Sequence, residues 1–160
     1  MELFQQLGEK AVSKYKLADH MLFITYPVVN DPKLLIVILD NLFQACELAM
    51  TGLLEQERMF KKIPPYPDNF EGKLHIFKQL MPKFGINEDN ITFLRKMRDI
   101  LIERKKSSLE FIKDNKFVMS DGDYNMRSLS VAQLKEYLAT GKKFIQQILI
   151  ITTKNAAILR

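Results

Sequence analysis

The chain has 160 residues, of which 47% are hydrophobic and 27% charged. That is the length and composition of one globular domain, which excludes intrinsic disorder and removes any need for a metal or disulfide to hold the fold. The single cysteine, Cys46, excludes an intramolecular disulfide framework and a Cys-rich zinc site, and a net charge of +5 permits an anionic partner without requiring one.

The first helix is predicted over residues 3–25. Leu3, Leu7, Ala11, Tyr15, Ala18 and Leu22 recur at three and four. Pro27 should end it, because proline lacks an N–H and pushes the preceding residue toward an extended conformation. Asn30-Asp31-Pro32 then signals a start, with Asp31 as cap. The second helix runs to about Lys62. Leu35, Ile38, Leu39, Leu42, Cys46, Ala49, Met50 and Leu53 share one side, with Asp40, Gln44, Glu47 and Glu55 opposite. Its opening turns are apolar nearly all round, as expected of a central helix.

Pro64-Pro65-Tyr66-Pro67 breaks the chain. A third helix is predicted over residues 70–84, closed by Gly85, and a fourth over residues 88–106, capped by Asn87. Between Phe117-Val118-Met119 and Tyr124-Asn125-Met126 lies Asp121-Gly122, a short-range hairpin signal. A small β-hairpin is expected at about 114–128. Ser130 and Gln133 have the capping-box spacing and open the last helix, which reaches Thr152 or beyond. Its apolar end, Ile148-Leu149-Ile150-Ile151, fits either a partner subunit or the interior of the bundle. The expected fold is all-α, a single-domain antiparallel five-helix bundle over residues 1–160 with one hairpin inserted before the last helix.

No segment reads as a membrane span. The apolar run from Leu17 to Val29 is short and holds Asp19, His20 and Pro27. The start lacks the basic region of a signal peptide, so a cytoplasmic protein is expected.

Most candidate chemistry has a plainer explanation. His20 and His75 have no second ligand at helical spacing, so no metal or cofactor is assigned. Cys46 sits among Leu42, Ala49 and Met50 at helical spacing and reads as structural. Asp121-Gly122-Asp123 reads as a turn, since a calcium loop needs more oxygen ligands and a bidentate glutamate. Asp99 and Glu103 share a helical face, where Arg95, Arg98 and Arg104 are expected to pair with them.

The basic cluster carries the functional expectation. Arg95, Lys96, Arg98, Arg104, Lys105 and Lys106 fall within twelve residues. Arg95, Arg98, Arg104, Lys105 and Lys106 are the candidate nucleic-acid contacts, because guanidinium forks match phosphate oxygens. Phe117 and Tyr124 would stack bases if exposed. The alternative is a solvated helix face.

The order of elements resembles the HEPN-like superfamily. Leu42-Phe43-Gln44-Ala45-Cys46-Glu47-Leu48-Ala49-Met50 resembles its long central helix. Arg98-Asp99-Ile100-Leu101-Ile102-Glu103-Arg104 lies where it places an Arg-x(4–6)-His motif. The resemblance implies a helical bundle, commonly a homodimer, that is often a metal-independent ribonuclease and otherwise an inactive partner of nucleotidyltransferases or a binding module. Arg98 matches the motif arginine. Glu103, Arg104 and Lys105 stand where histidine should fall. Histidine exchanges a proton near neutral pH and arginine does not, so a non-enzymatic protein binding RNA or a nucleotide is the first expectation. A ribonuclease with Glu103 or His75 as acid/base group is the second. A protein-interaction module using the apolar end of the last helix is the third.

Overall fold

The computed structural model describes residues 2–123 and 125–153. The protein is mostly helical, with a small three-stranded antiparallel sheet before the last helix. Its elements are α1 (Leu3–His20), a π-helical segment (Met21–Thr25), α2 (Tyr26–Val29), α3 (Lys33–Met59), α4 (Phe70–Phe84), α5 (Asp89–Lys106), β1 (Leu109–Lys113), β2 (Lys116–Ser120), β3 (Met126–Leu129) and α6 (Val131–Thr153).

Pro27 does not end the first helix. The chain passes through the π-helical segment directly into α2, and α2 closes at Asn30 with φ of 53°. The reason is local. A proline in an α-helix drives its ring into the carbonyl four residues back and leaves that carbonyl without a donor. Widening the preceding turn, so that the Tyr26 N–H donates to the Met21 carbonyl, makes room for the ring.

α3 is the centre of the fold. It packs against α1 most extensively, and against α6, α4 and α5. Leu39, Leu42, Met50, Leu53 and Leu54 are fully buried on it. Burying each such side chain contributes about 1.5–3 kcal/mol. Two glycines permit close approaches. A Cβ at Gly52 would lie 3.4 Å from the Phe4 carbonyl oxygen of α1, and one at Gly141 of α6 would lie 2.8 Å from Leu42 Cδ1. The α1–α6 side is fixed by the Tyr15 hydroxyl, which donates to the Leu138 carbonyl at 3.1 Å. Burial pushes the Tyr15 hydroxyl up to about 12, with the Asp19 carboxylate adding to the effect. By length and mean hydropathy (1.6 over 18 residues) α3 is itself sufficient to cross a membrane, a feature the sequence reading had not assigned to any segment. Much of that surface, 56% of the apolar stretch, is buried against the other helices.

α3 stops at Met59, short of Lys62, where Lys61 takes φ of 56° and the Lys62 N–H donates to the Glu57 carbonyl at 2.8 Å. The expected caps form. Asp31 Oδ1 accepts from the Lys33 N–H at 3.0 Å and Ser130 Oγ from the Gln133 N–H at 3.2 Å. Asn87 Oδ1 accepts from the Asp89 N–H at 2.8 Å, one residue ahead of the N-cap Glu88. Asn69, not assigned from the sequence, caps α4 by accepting from the Gly72 N–H at 2.7 Å. Gly85 ends α4 in the left-handed region.

The expected single hairpin is a meander of three strands in the order β1-β2-β3. The β2–β3 hairpin spans the anticipated Asp-Gly turn. β1 was missed, and it joins β2 through Asp114-Asn115, both at positive φ as a two-residue hairpin turn requires. Phe117, Met119 and Leu129 bury the inner face against the helices. At the other end Ile148 and Leu149 are buried in the core, and only Ile150 of the apolar run is exposed. The apolar end of α6 therefore belongs to the interior. Exposed apolar side chains gather instead at Phe23, Ile24, Val28 and Val29, and along β1 at Leu109, Phe111 and Ile112.

Candidate functional site

The five candidate cations all lie on α5, and the structure separates them. Asn69 caps α4 and so sets Glu71 in its first turn, facing α5. Arg95 binds Glu71 with both guanidinium nitrogens, at 3.0 and 3.3 Å. Arg98 reaches the same carboxylate at 3.4 Å and lies 4.8 Å over the Phe70 ring. Arg104 Nε is 3.5 Å from Glu110 Oε1 on β1. Among the described residues, no carboxylate lies within ion-pair distance of Lys105 or Lys106. The expected pairing of the arginines with Asp99 and Glu103 does not occur. They reach carboxylates on other elements, and Glu103 pairs with Arg127 of β3 at 2.7 Å.

Three of the five meet at one groove of about 340 Å³ between α3 and α5. Arg98, Arg104 and Lys105 line it from α5. Ile36, Val37 and Phe43 from α3, with Leu101 and Ile102 from α5, make its apolar lining. The spacing explains the walls. Positions 36, 40, 43 and 44 and positions 98, 101, 102 and 105 each form one helical stripe, and the two stripes face each other. Among the described residues Asp40 is the one carboxylate lining the groove, and its Oδ2 accepts from Gln44 Nε2 at 2.9 Å. Sequence spacing places Asp40 and Gln44 only on the polar back of the second helix. Their shared stripe with Phe43 was the available signal. Three cations and one carboxylate line the groove. Glu71 and Glu110 pair with two of the cations from outside it, so among the described residues Lys105 is the lining cation with no carboxylate within ion-pair distance.

Lys106 faces elsewhere. With Arg127, Glu103 and Asp121 it lines a larger cleft of about 530 Å³ between the end of α5 and the β2–β3 loop. Here the charges balance. Asp121 is held by Asn125 Nδ2 at 2.9 Å and by the Asp123 N–H at 2.8 Å. These bonds, the Asn125 amide first, hold its carboxyl below the usual carboxylate range. Arg95 lines neither concavity.

The other candidates fall into place. Phe117 is 1% exposed and cannot stack on a base. Tyr124 lies outside the described residues. His20 is exposed, and the exposed His75 has Gln79 as its neighbour at 3.3 Å. Neither histidine nor Glu103 lines the groove. Cys46 is buried, and burial pushes its thiol up, away from the reactive thiolate. Among the described residues no three His, Cys, Asp or Glu side chains group as metal ligands. Sequence reading missed Glu57, a carboxylate 1% exposed that pairs with Lys83 at 3.0 Å and ties α3 to α4. It also missed Tyr66, whose hydroxyl bonds Glu55; burial and that bond push its pKa up. Both serve the fold.

No family model, no curated protein and no solved structure matches the chain.

Proposed function

We propose that this protein binds a phosphate-bearing ligand, RNA or a nucleotide, in the groove between α3 and α5. One observation carries the reading. Arg98, Arg104 and Lys105 converge on a concavity that contains a single carboxylate. Arg98 and Arg104 are already held by Glu71 and Glu110, so little side-chain entropy is lost when a phosphate arrives. Lys106 and Arg95, which line other surfaces, are left out of the contact set.

The proposed scaffold is HEPN-like. The long central α3, wrapped by the other helices, and Arg98 midway along α5 support it. In this reading the protein acts as a homodimer in the cytoplasm and binds without catalysis, because Glu103, Arg104 and Lys105 occupy the positions where the motif histidine would stand. The ribonuclease alternative would require Glu103 or His75 to act on a ligand from outside the groove. The protein-interaction alternative loses its surface on α6, since Ile148 and Leu149 are buried.

The test is fluorescence anisotropy with single-stranded RNA at low and high salt. Three cations predict that log affinity falls with log salt at a slope of about −2. Arg98→Ala/Arg104→Ala should reduce that slope to about −0.7 and abolish binding at moderate salt. Salt-independent binding, or binding unchanged in the double variant, would overturn the proposal. Light scattering on the same sample reads the dimer.

A further inference from the structure

We infer that the groove selects guanine, and takes a guanine nucleotide, either free or at an unpaired position of an RNA strand. The inference rests on the phosphate-binding reading above and adds the identity of the base.

The observation behind it is Asp40. It lines the same groove as Arg98, Arg104 and Lys105, yet among the described residues no cation lies within ion-pair distance of it. Its partner is a neutral amide, Gln44 Nε2 at 2.9 Å. A free carboxylate weakens a site built only to attract anions. Asp40 is solvent-exposed, and a ligand seated in the groove that offers it a hydrogen-bond donor turns that cost into a contact. A carboxylate presents two oxygens with about four acceptor sites, of which Gln44 uses one on Oδ2. Two parallel acceptors remain.

Only one base matches two parallel acceptors. Guanine carries adjacent donors on its Watson–Crick edge, the ring N1–H and the exocyclic amino group. Adenine and cytosine set a ring acceptor beside their amino group, and uracil flanks its single N–H with two carbonyls. Each of those three turns a lone pair toward the carboxylate.

The rest of the groove fits the remaining parts of such a ligand. Phe43, Val37, Leu101 and Ile102 supply apolar surface for the faces of a base. Phe43 is steadied by the Phe70 ring at 5.4 Å. The three cations stand on the α5 wall and Asp40 on the α3 wall, so base and phosphate have separate partners. A volume of about 340 Å³ is at the low end for small-molecule sites and suits one nucleotide. The base must be unpaired, because pairing would occupy the edge that Asp40 reads.

Calorimetric titration of the full chain with GMP, AMP, CMP and UMP at low salt tests this. One bidentate base contact predicts a preference for GMP of about tenfold or more. Asp40→Asn should bring the four affinities to within a factor of about two, since an amide offers one donor and one acceptor. Removing a negative charge leaves general anion binding at least as strong, so the ratio isolates base reading from phosphate attraction. A uracil octamer carrying one guanine, compared with the all-uracil octamer, distinguishes the source. Preference for the guanine-bearing strand assigns the site to RNA, and preference confined to GMP assigns it to the free nucleotide. Equal affinity for all four nucleotides and both octamers, still lost in Arg98→Ala/Arg104→Ala, overturns the guanine inference and leaves the phosphate reading standing. Absence of any nucleotide or RNA binding at low salt overturns both.

Discussion

The groove between α3 and α5 and the cleft beside the sheet draw on the same stretch of α5 and hold similar side chains. They differ in how their charges close. In the cleft Arg127 meets Glu103 and Asp121 is held by its own loop, so the larger concavity is lined by two cations and two carboxylates. In the smaller groove three cations face one carboxylate. Density of Lys and Arg along a helix thus says little by itself. What matters is which carboxylates the neighbouring elements bring, and here α4 and β1 bring Glu71 and Glu110 to orient arginines that still line the groove.

Several perturbations should break or sharpen this contrast. The largest acts on the α5 wall from behind. Leu94 is fully buried on α5. Leu94→Ala should lower unfolding free energy by about 2–5 kcal/mol, read by urea denaturation. Next come the charges themselves. Lys106→Ala/Arg127→Ala, which empties the cleft of cations, should change RNA affinity less than about threefold, whereas Arg98→Ala/Arg104→Ala should cost tenfold or more. Equal losses in both pairs would erase the distinction between the two regions.

A smaller effect is expected away from both, at the Tyr15–Leu138 hydrogen bond. Tyr15→Phe should cost about 1 kcal/mol at neutral pH. The folded-state pKa is raised to about 12 against about 10 in the unfolded chain. The unfolded state therefore loses the proton first, and wild-type stability falls between pH 10 and 12 relative to the variant. Its advantage over Tyr15→Phe should close and then reverse across that window. The smallest effect belongs to the cleft. The carboxyl of Asp121 is held low, so its loop bonds are fully present above the ordinary aspartate range and are lost only as pH falls below it. The Asp123 amide resonance should follow that titration, and in Asp121→Asn it should not.

The helices were legible because their signals are local. Asp31, Asn87, Gly85 and Ser130 mark ends that hydrogen bonds then make. β1 was not, because Leu109–Lys113 is exposed throughout and carries no alternation of burial for a pattern to reveal. The π-helical segment was hidden for a related reason. Proline predicts a stop, and only packing around Leu22 and Tyr26 repays continuing past it. At the site, Arg98, Arg104 and Lys105 were readable as a run of charge. Their separation from Lys106 and Arg95 was not, because it depends on how α3, α4 and the sheet pack on α5, from which Glu71 reaches Arg95 and Arg98, Glu110 reaches Arg104, and Arg127 takes Glu103. Asp40 was visible only as a polar residue on the back of α3, and its role depends on where α5 lies.

The widened turn before Pro27 has a consequence for how this chain tolerates changes in length. A π-turn holds one residue more than the α-helical turn it replaces. That residue adds no net rotation between the faces on either side, so Leu22 and Tyr26 both reach the interior. Deleting one residue within Met21–Thr25, together with Pro27→Ala, leaves the flanking helices in phase. The same deletion inside α3 would turn everything beyond it by about 100° and carry its buried leucines to the surface.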